Sequence, residues 1–342
     1  METLYMATRA EVAKLAGVSA STVSYALSGD RSLKPETRQR VLAAVEKLNY
    51  RPNFAAGALA GGKSKTLALL SPSGEFGIAL IALEYINGAS SAARDRGYHL
   101  VIWPSADSEM AEIQTFAESG MISGVILMEI TFDDDRVDYL SKAGVPFTMI
   151  GRTKNSSNFT YVDRDFEGVA ETGVKYLAEL GHKNIAYLTT DRSVGVDTRF
   201  SSALVNAAKK HKLVAKKIQV VNEASSGRDA FITLHNNFPD VTAVVSLNDI
   251  ATLGFLSGAS EFGVSIPKDL SIIALDTPEN HLEMAWPPLT TVNLPAFEMG
   301  SAASNILIDQ IEGIENSAQQ RLLMGELIVR GTTAKASAMV KK

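Results

Sequence analysis

The sequence predicts an α/β protein: a small N-terminal head of three helices containing a helix-turn-helix, followed by two lobes built on doubly wound parallel sheets. Three observations lead there. Segments of helical period fill the first 48 residues, and short β-rich runs then alternate with longer helical stretches. The charge divides in the same place. Residues 1–65 carry ten Lys/Arg against five Asp/Glu, giving +5, whereas the other 277 carry 23 against 33, giving −10. A basic head on an acidic body is the footprint of nucleic-acid binding once a motif accompanies it.

Composition sets outer limits. At 342 residues, 46% hydrophobic and 21% charged, the chain is ordinary globular material for two or three domains. It has no cysteine, which excludes disulfides, thiolate metal sites and a thiol nucleophile. The start METLYMATRAEVAK lacks the features of a secretory signal, and no run approaches the ~18 apolar residues of a membrane span. A soluble, cytoplasmic protein with no membrane partner is expected.

In the head, Thr8-Arg9-Ala10-Glu11 has the spacing of a capping box, and Val12, Ala13, Leu15 and Ala16 offer an apolar face. Gly17 permits the left-handed turn that ends this helix, Val18 plugs the core, and Ser19 caps a second helix closed by Gly29. A third helix runs from Pro35 to about Leu48, with Val41, Leu42, Val45 and Leu48 at helical spacing. Val12, Val18, Val23, Leu27 and Val45 then make a small core, an arrangement that fits a helix-turn-helix or any compact three-helix bundle.

The residues decide between these. AEVAKLAGVSASTVSYALSG followed by PETRQRVLAAVEKLNYRPN resembles the head of the LacI/GalR (lactose/galactose repressor) family of bacterial transcription regulators, and the similarity continues through the rest of the chain. The resemblance implies base contacts from Ala20, Ser21 and Tyr25, and register-setting backbone contacts from Thr8, Ser19, Thr22, Ser28 and Asn53. Many members carry arginine where Tyr25 stands. A phenol cannot read guanine bidentately, so the half-site should differ from theirs. Lys34 occupies the usual position of a serine cap, which weakens that helix start and offers a phosphate contact.

Residues 57–64, GALAGGKS, match the phosphate-loop pattern G-x-x-x-x-G-K-S/T. A nucleotide site needs a strand before the loop and a helix after it, and here Pro52 lies upstream and TLALLSP downstream, the reverse order. The resemblance supplies another role: a hinge helix, FAAGALA, capped by Asn53, which folds on DNA and inserts Leu59 into the minor groove as a wedge. Gly57, Gly61 and Gly62 lower its intrinsic stability, as folding on binding requires. Lys63 and Lys65 read as linker charges that attract phosphate.

From Thr66 the runs TLALLS, YHLVIW, GVILMEI, VPFTMIG, NIAYLT, KIQVV, AVVSLN and SIIALD read as strands, too many for one comfortable sheet. Two lobes with a ligand cleft at the strands' carboxyl ends follow. Both lobes are similar to periplasmic sugar-binding proteins, as the family's body is. That analogy implies crossings near Asp163, Asn293 and Leu323. The resulting division is 1–52 head, 53–65 hinge and linker, 66–164 plus 295–322 N-terminal lobe, 165–294 plus 323–335 C-terminal lobe, and 336–342 disordered tail.

Polar residues at strand ends are the ligand candidates: Asp163, Arg199, Asn248 and Asp276, the last three at positions matching the family's effector grip. Each takes two directed hydrogen bonds, which suits a polyol, and loop capping or a lobe-bridging ion pair is the alternative role. The family's aromatic pocket residue falls at Asn222, so a stacking platform is lost and the effector is either unusually polar or not a sugar. Phe76, Phe159 and Trp286 are the substitutes, against an ordinary core role.

No enzyme motif is present, and His99, His182, His211, His235 and His281 are scattered. FDDDRVD at 132–138 reads as a solvated helix start complementing the dipole, not a metal site. No cofactor is expected. The resemblance therefore implies a homodimeric repressor of a pseudo-palindromic DNA operator, released by a small polar effector, a sugar or related polar metabolite, in the inter-lobe cleft, with inducer release commoner in the family than corepression. No apolar heptad precedes the end AKASAMVKK, which argues against tetramers.

Overall fold

The computed structural model describes residues 7–28, 33–50, 64–72, 80–105, 110–190, 195–221, 223–275, 277, 285–293, 295–314 and 318–336. The chain divides into two compact units, Met1–Ser64 and Lys65–Lys342.

The first unit holds α1 (Arg9–Ala16), α2 (Ala20–Ser28) and α3 (Pro35–Lys47). Both halves of the capping box form: Glu11 N–H donates to Thr8 Oγ1, and Thr8 N–H donates to Glu11 Oε2 at 2.7 Å. Gly17, at φ 65°, turns the chain into the left-handed region, and Val18 N–H closes onto Ala13 O. Ser19 Oγ then caps α2 by accepting from Thr22 N–H at 3.1 Å. Lys34 sits at the start of α3 with no side-chain cap, as its residue type implies. Val12, Ala13, Ala16, Val23, Ala26, Val41 and Ala44 form the core, with Val18, Leu27 and Val45 packed against it. Two expectations are corrected here. Leu15 and Leu42 are 45% and 46% exposed, because each lies about 100° around its helix from the buried stripe.

The second unit has two sheets of six strands. The first is ordered β11-β5-β4-β3-β1-β2, from β1 (Thr66–Pro72), β2 (His99–Ser105), β3 (Gly124–Leu127), β4 (Phe147–Ile150), β5 (Tyr161–Arg164) and β11 (Gln320–Leu323). The second is ordered β12-β10-β9-β8-β6-β7, from β6 (Asn184–Thr189), β7 (Val214–Gln219), β8 (Ala243–Ser246), β9 (Ser271–Ala274), β10 (Thr290–Asn293) and β12 (Glu326–Ile328). All neighbours are parallel except β12, which runs antiparallel to β10. The chain leaves the first sheet after Arg164, returns after Asn293, and crosses again between Leu323 and Glu326.

Each sheet has the order 2-1-3-4-5 with one added edge strand, so each has a topological switch point, between β1 and β3 or between β6 and β8. The flanking helices are α4 (Leu80–Asp95), α5 (Met110–Glu118), α6 (Asp135–Ala143), α7 (Phe166–Glu179), α8 (Gly195–Lys210), α9 (Ala224–Asn237), α10 (Asp249–Glu261) and α11 (Ala296–Glu312). One close helix pair recurs in each lobe. A Cβ on Gly88 would lie 1.9 Å from Phe297 O and one on Gly300 2.0 Å from Tyr85 O, locking α4 to α11. Gly227 against Ala251 O, at 1.9 Å, and Gly254 against Ala224 O, at 2.0 Å, do the same for α9 and α10.

The strand β1 starts two residues after Ser64, which leaves no helix after the GKS sequence and removes the nucleotide-loop reading. Lys65 also departs from its expected role. Its Nζ donates to Glu312 Oε1 at 3.2 Å and lies 4.1 Å from the Tyr98 ring centroid, while Arg96 holds both Asp309 and Glu312.

Candidate functional site

On the head, Ala20, Ser21 and Tyr25 are exposed on α2, Tyr25 by 52%. Arg9 Nη1 donates to Ser24 Oγ at 3.0 Å and fixes α2 against α1, so this face is presented by a braced helix. Thr8 is exposed and its hydroxyl donates to Glu11 Oε2 at 2.9 Å; Ser19 Oγ and Thr22 Oγ1 share a 2.8 Å hydrogen bond. The side chain of Ser28, and Asn53 and Leu59, lie outside the described residues.

In the second unit, the strand ends gather a polar cluster. Asp163, on β5, is 2% exposed; its Oδ1 accepts from Arg164 N–H at 2.8 Å and its Oδ2 lies 2.9 Å from Arg152 Nε. Burial pushes its carboxyl above the usual carboxylate range, against the pull of Arg164, Arg152 and Arg199. The Asp163–Arg152 pair belongs to one lobe. The lobe-bridging contacts are others: Arg199 Nη2 donates to Thr153 O at 2.8 Å, and Gly195 N–H donates to Ile130 O at 3.0 Å. Gly195 fits there because a Cβ would come 3.1 Å from Arg152 O.

The second sheet positions Arg199 through α8. Asp197, 8% exposed, accepts from Thr189 Oγ1 at 2.8 Å, from Thr190 N–H at 3.2 Å and from Thr190 Oγ1, which ties the first turn of α8 to the end of β6. The Arg199 guanidinium then lies 5.2 Å from the Phe132 ring centroid. Burial, followed by repulsion from Arg152, lowers its proton affinity from the arginine norm. Its Nε is buried with no hydrogen-bond acceptor among the described residues. Asn248 follows β8 at the start of α10, yet its side chain makes no cap, and its buried Oδ1 meets no donor among the described residues. The capping alternative is thereby removed for Asn248. Asp276 and Asn222 lie outside the described residues.

Sequence reasoning missed Arg152, Thr153, Phe132 and Asp197. The first follows VPFTMIG directly, so the rule that selected Asp163 also reaches it. Asp197 required knowledge that α8 begins at Gly195. Of the aromatic substitutes, Phe159 packs on Phe147 with ring centroids 5.9 Å apart, Phe76 is outside the described residues, and Trp286 is 90% exposed, not core.

The acidic run also resolves. Asp134 caps α6, and Arg136 donates to both its oxygens at 2.9 and 2.7 Å. The helix start is as expected, but Asp134 is 8% exposed and neutralised by a neighbour instead of solvated. Among the described residues no group of three or more His, Asp or Glu is placed to hold a metal, and no helix is long and apolar enough to cross a membrane.

Comparison with known proteins gives a consistent answer. Residues 8–53 match the family model for bacterial regulatory proteins of the lacI family, and residues 174–333 match a periplasmic binding protein-like domain. The HTH-type transcriptional repressor PurR of Erwinia tasmaniensis is 30% identical over 342 residues, covering 96% of this chain and 97% of that one. The solved complex of the transcriptional regulator CelR with cellobiose is 26% identical, with a TM-score of 0.71 over 95% of this chain and 99% of that one. The Lac repressor dimer bound to operator and the anti-inducer ONPF has a TM-score of 0.83 at 24% identity, covering 96% of this chain and all of that one, which is a likeness of fold.

Proposed function

The chain belongs to the LacI family of bacterial regulatory proteins, and from that premise we propose that this transcriptional regulator represses by binding a pseudo-palindromic operator as a homodimer and is released by a small polar effector in the cleft. The observation that carries the reading is the braced, exposed face of α2 bearing Ala20, Ser21 and Tyr25. A short helix held by its neighbour at the N-terminal half is what insertion into a major groove requires. Thr8, Ser19, Thr22, Ser28 and Asn53 would set the register on the backbone, and Leu59 would open the minor groove at the centre of the site.

Effector control follows from the bridging contacts. Arg199 and Gly195 hold the second lobe to Thr153 and Ile130 of the first, at the carboxyl ends of both sheets. A ligand exchanging hydrogen bonds with Arg199, Asn248, Asp163 and Asp276 would act on Arg199, which also fixes the lobes, so it favours one lobe arrangement over another. Cellobiose in the CelR complex makes a sugar or related metabolite the natural class to screen. The proposed division places the head at 1–52, hinge and linker at 53–65, one lobe at 66–164 with 295–322 and the other at 165–294 with 323–335.

The test is selection of fragmented genomic DNA on the full-length protein at two salt concentrations. An enriched palindrome lost steeply at the higher salt is the expected result. No enriched site, with or without added small-molecule extract, contradicts the regulator reading.

A further inference from the structure

We propose that the ligand of the cleft carries an anionic group, a carboxylate or a phosphoryl, seated on Arg199 and Arg152. The inference rests on the cleft being the effector site and narrows what that effector is.

Two half-buried arginines there have buried Nε donors that the protein does not satisfy. Arg199 Nε meets no acceptor among the described residues, and its Nη2 is given to a neutral backbone carbonyl, Thr153 O. Arg152 Nε lies 2.9 Å from Asp163 Oδ2 but out of hydrogen-bond alignment, so its charge is met and its direction is not. Buried charged donors left in this condition are rare in folded proteins, and a bound group that accepts from them is one explanation. Arginine cannot release its proton, so the donors stay charged and favour an entering acceptor.

The charges agree with the geometry. Arg152, Arg164 and Arg199 all act on Asp163, the one buried carboxylate among them, and Asp163 already accepts from the Arg164 backbone. Glu167 also attracts Arg199, but it is exposed and screened by water. Arg152 and Arg199 repel each other, and an oxyanion between them converts that repulsion into two attractions. A neutral polyol hydroxyl offers only partial charge and leaves the excess in place. The guanidinium fork matches the paired oxygens of a carboxylate or phosphoryl, and the Phe132 ring beneath Arg199 holds the plane of that fork. Asp163 is then a resident stand-in, competing with the ligand for Arg152.

The experiment is thermal unfolding of the full-length protein at fixed ionic strength, with chloride replaced by inorganic phosphate in one arm and by malonate in the other. Phosphate or malonate is expected to raise the Tm of the wild type, and the larger shift identifies the phosphoryl or the carboxylate class. R199M and R199K, the second keeping the charge without the fork, should abolish or shrink the shift, and D163N should enlarge it. Equal Tm values in all three anions, or a shift that R199M and R199K leave intact, overturn the proposal. A further arm with cellobiose separates the two readings. Stabilisation by cellobiose that R199M removes, with no response to either anion, keeps the cleft as the effector site and overturns the anionic class alone.

Discussion

The two lobes share a strand order and differ in what they place at the strand ends. Both have a 2-1-3-4-5 sheet, and both lock one helix pair through facing glycines. The first lobe, however, presents a carboxylate already engaged, Asp163 against a misaligned Arg152 Nε, whereas the second presents Arg199 Nε and Asn248 Oδ1, which meet no hydrogen-bond partner among the described residues. Sheets and glycine contacts recur because they solve packing; the loops after the strands carry the chemistry, and they have diverged. The second lobe also ties the first turn of its helix α8 to the end of β6, through Asp197. Unsatisfied donors are held in place by satisfied ones.

The largest expected effect tests the shared part. Gly227→Ala and Gly88→Ala each force a Cβ to within 1.9 Å of a backbone carbonyl, so the helix pairs must separate, with a loss of about 3 kcal/mol seen in urea unfolding. If the packing is equivalent, the two losses are similar. A negligible loss in either lobe breaks the comparison.

Next in size is the tether of the open lobe. Asp197→Ala strands the Thr189 hydroxyl and the Thr190 N–H, with a cost of about 2 kcal/mol. It should also weaken ligand binding, because Arg199 sits two residues further along α8. Calorimetry of unfolding and of ligand binding on one variant separates the two effects.

A smaller effect is expected in the head. Thr8→Ala removes the hydroxyl half of the capping box, at about 1 kcal/mol. DNA affinity should fall while ligand binding to the lobes is unchanged, and a change in ligand binding counts against independent roles.

The smallest concerns the linker exit. Hydrogen bonding to Arg96, then Lys65, holds Glu312 below the usual carboxylate range despite partial burial. A carboxylate with a depressed folded pKa adds stability above its unfolded pKa, about 4.3, and loses it as pH falls through the folded value. Glu312→Gln should therefore flatten the stability profile on the acid side of that point and leave its shape at neutral pH unchanged. An unaltered acid limb counts against the ion-pair cluster.

Much of this was legible in the sequence, for physical reasons. The head is local: a capping box, a left-handed glycine and a serine cap each act within four residues, and all three form. Buried parallel strands such as NIAYLT and AVVS announce themselves as apolar runs. The strands β10, β11 and β12 do not. TTVN buries threonines that bond outward, with Thr291 Oγ1 donating to Ala274 O, while QRLL and ELI are short edge strands with few buried residues. The strand β7 begins three residues earlier than KIQVV implies, because the exposed Lys216 ahead of that run reads as loop; charged edge residues discourage pairing with another chain. Strand-end polarity selected Asp163, Arg199 and Asn248 as ligand candidates. It did not reveal that Asp163 would be engaged by Arg152, since that pairing joins residues brought together by adjacent strands β4 and β5.

The most direct test of the central claim, that a dimer reads DNA through the α2 face, is genomic-fragment selection with Tyr25→Arg beside the wild type. Arginine at that exposed position reads guanine bidentately, so one base pair should change to a G·C pair symmetrically in both half-sites, with the rest of the motif retained. An unchanged motif bound with unchanged affinity would contradict the account, because it would mean that Tyr25 does not face the bases.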